Sequence, residues 1–107
     1  MKGGVFYNGL LAGYLEKDDD RGYLFRYDND YFNDPSLPSI SLTLPKTKQV
    51  YHSDRMFSFF YGLLSEGINK DIQCRLLKID ENDDFTRLLQ TAGDDTIGAV
   101  TVKAIEE

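Results

Sequence analysis

An Asn8-Gly9 dipeptide stands between two apolar runs, and it constrains the possible folds more than any other feature of the sequence. A two-residue hairpin turn requires positive φ at both central residues, a conformation that asparagine and glycine tolerate well. Residues 5–7 and 10–17 are therefore predicted to form two antiparallel strands. The residues predicted to share one face of the second strand are Leu11, Gly13 and Leu15.

Alternation of apolar and polar residues continues through the first half of the chain. The residues that predict a third strand in this way are Tyr23, Phe25 and Tyr27. Residues 28–34 are predicted to form an ordered loop that contains one helical turn. The apolar residues of a predicted fourth strand, which Pro45 ends, are Ile40, Leu42 and Leu44. The strand-rich region is therefore predicted at residues 4–45.

The apolar spacing then changes to that of helices, and residues 53–92 are predicted to be helical. Ser53 is a suitable N-cap for a first helix, whose apolar stripe comprises Met56, Phe59, Phe60, Leu63 and Leu64. Asn69 is predicted to cap a second helix, whose stripe comprises Ile68, Ile72, Leu76 and Ile79. The acidic residues at 80–84 favour the start of a third helix, which Gly93 ends and whose stripe comprises Phe85, Leu88, Leu89 and Ala92.

Residues 97–105 are rich in β-branched side chains and are predicted to form a last strand that returns to the sheet beside an early one. The residues predicted on one face of it are Val100, Val102 and Ala104. Together these elements predict a single α+β domain over residues 1–107. Its antiparallel sheet has four or five strands and packs on about three short helices, so that each layer buries one apolar face.

Composition restricts the function. The chain has 12 lysines and arginines against 18 acidic residues, a formal net charge of −6, so its overall field repels phosphate backbones and no direct nucleic-acid partner is expected. No apolar run is long enough to span a bilayer and the first residues do not read as a signal peptide, so no membrane partner and a cytoplasmic location are expected. Cys74 is the single cysteine and cannot form an internal disulfide.

The sequence lacks the residue sets of common catalytic sites. His52 is the only histidine, so a catalytic triad or a histidine metal site has no obvious further members. The acidic residues at 80–84 match the start of a calcium loop, but Phe85 stands where glycine is required and Thr91 where a bidentate glutamate is required. No glycine-rich phosphate cradle occurs. The chain is predicted to be no enzyme and to need no metal or cofactor, with a small metal- or ligand-binding domain as the remaining alternative.

The aromatic content, with 7 tyrosines and 7 phenylalanines, exceeds what a core of this size is expected to hide. An exposed aromatic patch and a protein-binding surface are therefore predicted. The candidate contact residues are placed at the end of the first helix and in the loop after it, with a second choice in the earlier aromatic loop. They are Tyr61, Ser65, Glu66 and Gly67, and then Tyr31 and Phe32.

Several segments, in order and spacing, resemble the N-terminal subdomain of HipA-type toxin kinases. They are residues 5–15, 23–27, 40–45, 59–67 and 93–100. The more specific motifs among them are the helix end Leu63-Leu64-x-Glu66-Gly67 and the stretch Gly93-Asp94-x-x-x-Gly98-Ala99-Val100. Ser65 departs from the pattern, because that family often has proline there.

The resemblance implies a non-catalytic component of a type II toxin-antitoxin system that binds and restrains a HipA- or HipT-type Ser/Thr kinase core. Because the chain stops where HipA kinases continue into their catalytic core, a HipS-like separate protein is expected, with an excised domain as the alternative. In such three-gene systems a HipB-like DNA-binding protein can join a ternary complex. A homodimerising subdomain that completes a HipA kinase is a further alternative.

Overall fold

The computed structural model describes residues 2–18, 20–64, 68–80, 82–91 and 99–105. The elements in this part of the chain are β1 Lys2–Tyr7, β2 Leu10–Asp18, β3 Gly22–Tyr27, α1 Asn29–Asn33, β4 Val50–Ser53, α2 Ser58–Tyr61, α3 Ile68–Leu77, α4 Asp84–Thr91 and β5 Val100–Ala104. The strands form one sheet in the order β4-β3-β2-β1-β5, and every neighbouring pair is antiparallel. The predicted α+β class with an antiparallel sheet and short helices is confirmed.

The hairpin at Asn8-Gly9 is confirmed in detail. Asn8 has φ 49° and Gly9 has φ 84°, and the flanking residues Tyr7 and Leu10 pair directly across the turn. A β-bulge follows, because Val5 pairs with Gly13 whereas Phe6 pairs with Leu11, which leaves Ala12 as an extra residue in β2. The bulge moves the alternation by one position, so Ala12 is buried and Leu11 is only half-buried, unlike the single face predicted for Leu11, Gly13 and Leu15.

The predicted strand at residues 40–44 is wrong. Ile40 and Leu44 are buried, but Leu42 is 99% exposed and the segment is a turn. The Tyr27 hydroxyl accepts a hydrogen bond from the Ile40 N–H at 3.1 Å and donates one to the Leu44 carbonyl. These bonds satisfy buried backbone groups that a strand would pair in the sheet. Hence the segment lies against the core without joining the ladder.

The fourth strand in chain order is β4, which pairs with β3 and which the sequence reading did not predict. Ser53 lies in this strand, opposite Tyr23, and therefore does not cap a helix. The helix predicted from Ser53 is accordingly a single turn, α2, preceded by Phe57 at the cap position. Its predicted stripe still faces the core: the buried members are Phe60 and Leu64, and the partly buried members are Met56, Phe59 and Leu63.

The predicted third helix is confirmed as α4. The Asp83 carboxylate accepts hydrogen bonds from the Thr86 N–H at 3.0 Å and from the Thr86 hydroxyl at 2.8 Å, which satisfies an end group of the helix. Its buried stripe comprises Phe85, Leu88 and Leu89, whereas Ala92 and Gly93 lie outside the described residues. The Arg87 guanidinium, 2% exposed, pairs with the Asp84 carboxylate at 3.1 Å. The acidic cluster thus serves the start of a helix.

The predicted last strand is confirmed as β5, which lies beside β1 at the edge of the sheet. Val100 and Val102 are buried, whereas Ala104 at the end of the strand is exposed. The predicted helical turn after Asp28 is likewise confirmed as α1. The Asp28 carboxylate accepts hydrogen bonds from the N–H groups of Asp30 and Tyr31 in this helix.

Candidate functional site

The aromatic side chains mostly fill the interior. The described residues include every phenylalanine and tyrosine, and among these only Tyr61 is exposed to a large extent, at 43%. Of the others, five are buried and eight are partly buried, and several pack on one another: the Phe25 ring lies 4.9 Å from the Tyr27 ring and 5.6 Å from the Phe60 ring, measured between centroids. Edge and tilted contacts of this kind stabilise a small core beyond the area that they bury. The predicted exposed aromatic patch is therefore wrong.

Tyr61 is the predicted contact residue that the structure places at the surface. It is the last residue of α2, and its carbonyl accepts a hydrogen bond from the Leu64 N–H at 3.1 Å, which fixes the turn that follows. The remaining members of this candidate set, Ser65, Glu66 and Gly67, lie outside the described residues. Their role in binding stays a prediction.

Tyr31 and Phe32 form the second candidate set. Tyr31 lies in the hydrophobic core, and Phe32 packs against it. Tyr31 is 1% exposed, and its hydroxyl donates a hydrogen bond to the Pro38 carbonyl at 2.7 Å. Burial, together with the neighbouring phenols of Tyr27 and Tyr7, raises the pKa of Tyr31 to about 12. Phe32 is partly buried against the same core. Tyr31 therefore supports the fold, and the role of Tyr31 and Phe32 in binding stays a prediction.

The most exposed aliphatic side chains of the helical region lie on α3. Ile72 is 47% exposed, Leu76 is 75% exposed and Leu77 is 45% exposed. Ile72 and Leu76 are four residues apart and are neighbours on one side of the helix, whereas Cys74 lies on the opposite side and is 5% exposed. The outer surface of α3, defined here by Ile72 and Leu76, is an apolar helix face, and the exposed Leu77 follows about 100° further around the helix.

This arrangement corrects the predicted second helix. Of the predicted stripe, Ile79, just after the helix, is buried, but Ile72 and Leu76 are exposed, and Cys74 is buried within the helix. Helix α3 also begins at Ile68, so Asn69 lies inside it and does not cap it. The sequence contained a signal for this outcome, because α3 carries apolar residues on two opposite sides and a helix packed on one layer can bury only one of them.

Basic residues flank the outer surface of α3. Arg75 and Lys78 are exposed, and Lys78 has φ 57°, which ends the helix. Lys70 in the first turn of the helix is half-buried. Arg75 and Lys78 thus place positive charges beside this surface, and the exposed Asp80 follows two residues after Lys78. A partner that covers the outer surface of α3 would fit it best with an apolar patch edged by carboxylates.

The described residues contain no group of three histidine, cysteine or acidic side chains placed to hold a metal ion. His52 is exposed on β4, and Cys74 is buried in α3. Likewise, the described helices include none that is long and apolar enough to cross a bilayer.

Comparisons with known proteins agree with this architecture. The chain is 37% identical over 101 residues to an uncharacterized protein of Haemophilus influenzae, a match that covers 94% of this chain and 90% of the other. It is 27% identical over 96 residues to the putative kinase Y4mE of Sinorhizobium fredii, of which it covers only 23%.

Among solved structures, the N-terminal domain of HipA toxin matches with a TM-score of 0.73 and 33% identity, over 99% of this chain and 93% of that one. The family model of the HipA N-terminal domain matches residues 4–103. The resemblance noted in the sequence is thereby confirmed, and the chain belongs to the HipA N-terminal domain family.

Proposed function

We propose that this chain is a non-catalytic protein-binding module that binds a HipA-type Ser/Thr kinase core and restrains it, as a component of a toxin-antitoxin system. The observation that carries the proposal is the outer surface of α3, with Leu76 75% exposed and Ile72 47% exposed. Covering apolar side chains of this size removes their area from water and favours association.

Similarity to longer proteins supports a kinase as the partner. A region like this chain makes up 23% of a protein named as a putative kinase, so the same domain occurs within one chain together with much additional sequence. A domain that packs on its neighbour within one chain can pack on it between two chains through the same surface. A separate module would then bind a kinase core that lacks this domain.

The chemistry of the described residues fits a binding role. A phosphoryl-transfer site needs a phosphate cradle, metal-holding carboxylates and a base, and the sequence contains neither of the common cradle motifs. We therefore expect the purified chain neither to hydrolyse ATP nor to phosphorylate itself, as measured by release or transfer of labelled γ-phosphate. A HipB-like DNA-binding protein in a ternary complex, and a homodimer, are further assemblies that the same preparation can reveal by light scattering.

The test compares two leucines that are both exposed. Leu76→Asp places a charge in the centre of the outer surface of α3, whereas Leu42→Asp makes the same change in the turn at residues 40–44, where the side chain is 99% exposed. A HipA-type kinase core from the same genome, produced without its N-terminal domain, is titrated with each variant by calorimetry. We expect Leu76→Asp to weaken binding by about tenfold or more and Leu42→Asp to leave it unchanged.

Both variants should keep the melting temperature of the unmodified chain, because neither leucine is buried. Equal affinities for Leu76→Asp and the unmodified chain would remove the outer surface of α3 from the interface. Absence of any binding by the unmodified chain would overturn the proposed function itself.

A further inference from the structure

A second surface of different chemistry lies on the strand-rich side of the molecule. Between the β1–β2 hairpin, α1 and the loop after α1 there is a groove of about 380 Å³. We call it the acidic groove, and the residues that line it and matter below are Leu10, Leu11, Leu37, Asp28, Asp30 and Asp34.

Three leucines form the apolar part of the acidic groove. Leu10 is 49% exposed, and Leu11 and Leu37 are half-buried. The bulge at Ala12 is what removes Leu11 from the buried face of β2, so that consecutive leucines of one strand both line the groove. One exposed and two half-buried leucines in a concave site favour an apolar side chain of a partner.

Three carboxylates form the polar part. Asp34 accepts hydrogen bonds from the Ser36 N–H at 2.9 Å and from the Ser36 hydroxyl at 2.6 Å. These bonds, with a smaller effect of Lys46, hold the pKa of Asp34 below its usual value although burial opposes them. Asp28 is anchored as the cap of α1, and Asp30 is exposed in its first turn. The lowered pKa keeps Asp34 charged at neutral pH.

The residues that line the groove include no lysine, arginine or histidine. Lys46 lies close by, but its Nζ donates to the backbone carbonyls of Asp34 at 2.7 Å and Leu37 at 2.8 Å. Its ammonium group is thus held on the loop backbone, although its charge still acts on Asp34. The described carboxylates are also not grouped as metal ligands would be, which favours several separate cationic side chains over one metal ion.

We propose that the acidic groove docks a short amphipathic segment of a partner protein, in which lysine or arginine side chains flank apolar ones. The leucines receive the apolar side chains and the three carboxylates pair with the cations, while the net charge of −6 attracts the segment from a distance. This surface has the opposite charge to the flanks of α3, so it serves a different contact and does not depend on the proposed kinase binding.

The experiment uses the full chain and a short fluorescein-labelled peptide of lysine, leucine and alanine that forms an amphipathic helix, with a twin in which glutamate replaces lysine. Asp30→Asn/Asp34→Asn removes two charges from the groove. Asp20→Asn/Asp54→Asn removes two exposed charges elsewhere and is the matched control. Leu10→Ser, compared with Leu42→Ser, tests the apolar part.

We expect saturable binding of the lysine peptide only, which rising salt weakens. The groove double variant should weaken it by about threefold or more, since each exposed pair contributes little, and the control pair should leave it unchanged. Leu10→Ser should weaken binding and Leu42→Ser should not. In the NMR spectrum the peptide should shift the amide signals of Leu10, Leu11 and Leu37.

Three results would overturn the proposal. One is equal affinity of the groove variants and their controls, which would indicate unspecific attraction to an acidic protein. Another is no saturable binding by the unmodified chain. The third is a change of the groove amide signals with protein concentration in the absence of peptide. Such a change would assign the surface to a second copy of this chain.

Discussion

The sequence predicts an apolar stripe for both α3 and α4, but α4 is apolar on one side only whereas α3 carries apolar residues on two opposite sides, and the two helices have opposite relations to the core. In α4 the stripe of Phe85, Leu88 and Leu89 is buried, whereas in α3 Ile72 and Leu76 face solvent. Helix α4 lies against α2 and β5, so its stripe is covered by the sheet layer. An apolar stripe thus indicates a helix reliably, but it does not reveal which surface covers the stripe. An exposed stripe at one of two such helices points to a binding surface.

The largest expected difference is the one between two leucine truncations, one in α4 and one in α3. Leu88 is fully buried in α4, so Leu88→Ala should lower the free energy of unfolding by roughly 2 to 5 kcal/mol through lost contacts and a cavity. Leu76→Ala in α3 should change it by no more than about 0.5 kcal/mol. Urea unfolding followed by circular dichroism measures both. Similar losses in the two variants would mean that α3 buries its stripe after all.

A smaller effect is expected at the end of α2, the helix that precedes α3 in the chain. Tyr61→Ala with Glu66→Ala should leave the melting temperature nearly unchanged but weaken binding to the kinase core by on the order of tenfold, because truncating an exposed aromatic anchor commonly costs above 1.4 kcal/mol. Calorimetric titration gives the affinity, and Phe59→Ala, next to the buried Phe60, serves as a variant that perturbs the core instead. Unchanged affinity in the double variant would confine the interface to α3.

The smallest effect concerns the cap of α4. Asp83→Ala should cost about 1 kcal/mol of stability, because the Thr86 N–H and hydroxyl lose their acceptor. Burial raises the pKa of Asp83, but the hydrogen bonds from Thr86 and the charge of Lys17 together outweigh it and lower the pKa. Because its pKa is lowered in the folded state, charged Asp83 stabilises the fold at pH values above the ordinary pKa near 3.8. This stabilisation is lost as the pH falls through the folded-state pKa.

Stability measured by urea unfolding at several acidic pH values checks this sign. The unmodified chain should lose its advantage over Asp83→Ala as the pH drops below about 4. Asp54→Ala, a change at an exposed aspartate outside α4, is the matched control. If the difference between the unmodified chain and Asp83→Ala grew on acidification, the cap would not act through its charged form.

Local chemistry allowed the sequence to determine much of this protein. The Asn8-Gly9 turn, the start of α4 after its acidic cluster and the α+β class depend on φ requirements, helix ends and periodicity, all of which neighbouring residues set. The family resemblance also follows from the order of short motifs. Tyr61 was predicted at the surface because it falls off the apolar stripe of its helix, and it is exposed.

Only the tertiary structure decided which apolar residues are covered. Ile40 and Leu44 are held by the hydroxyl of Tyr27, 13 and 17 residues away in sequence, so their alternation with Leu42 produced a turn in place of a strand. Likewise, α3 buries Cys74 and leaves Ile72 and Leu76 exposed. The bulge at Ala12 places Leu11 in the lining of the acidic groove. The spacing of apolar residues shows which side chains can share one face of an element. Burial of that face requires a second surface, which distant parts of the chain bring close.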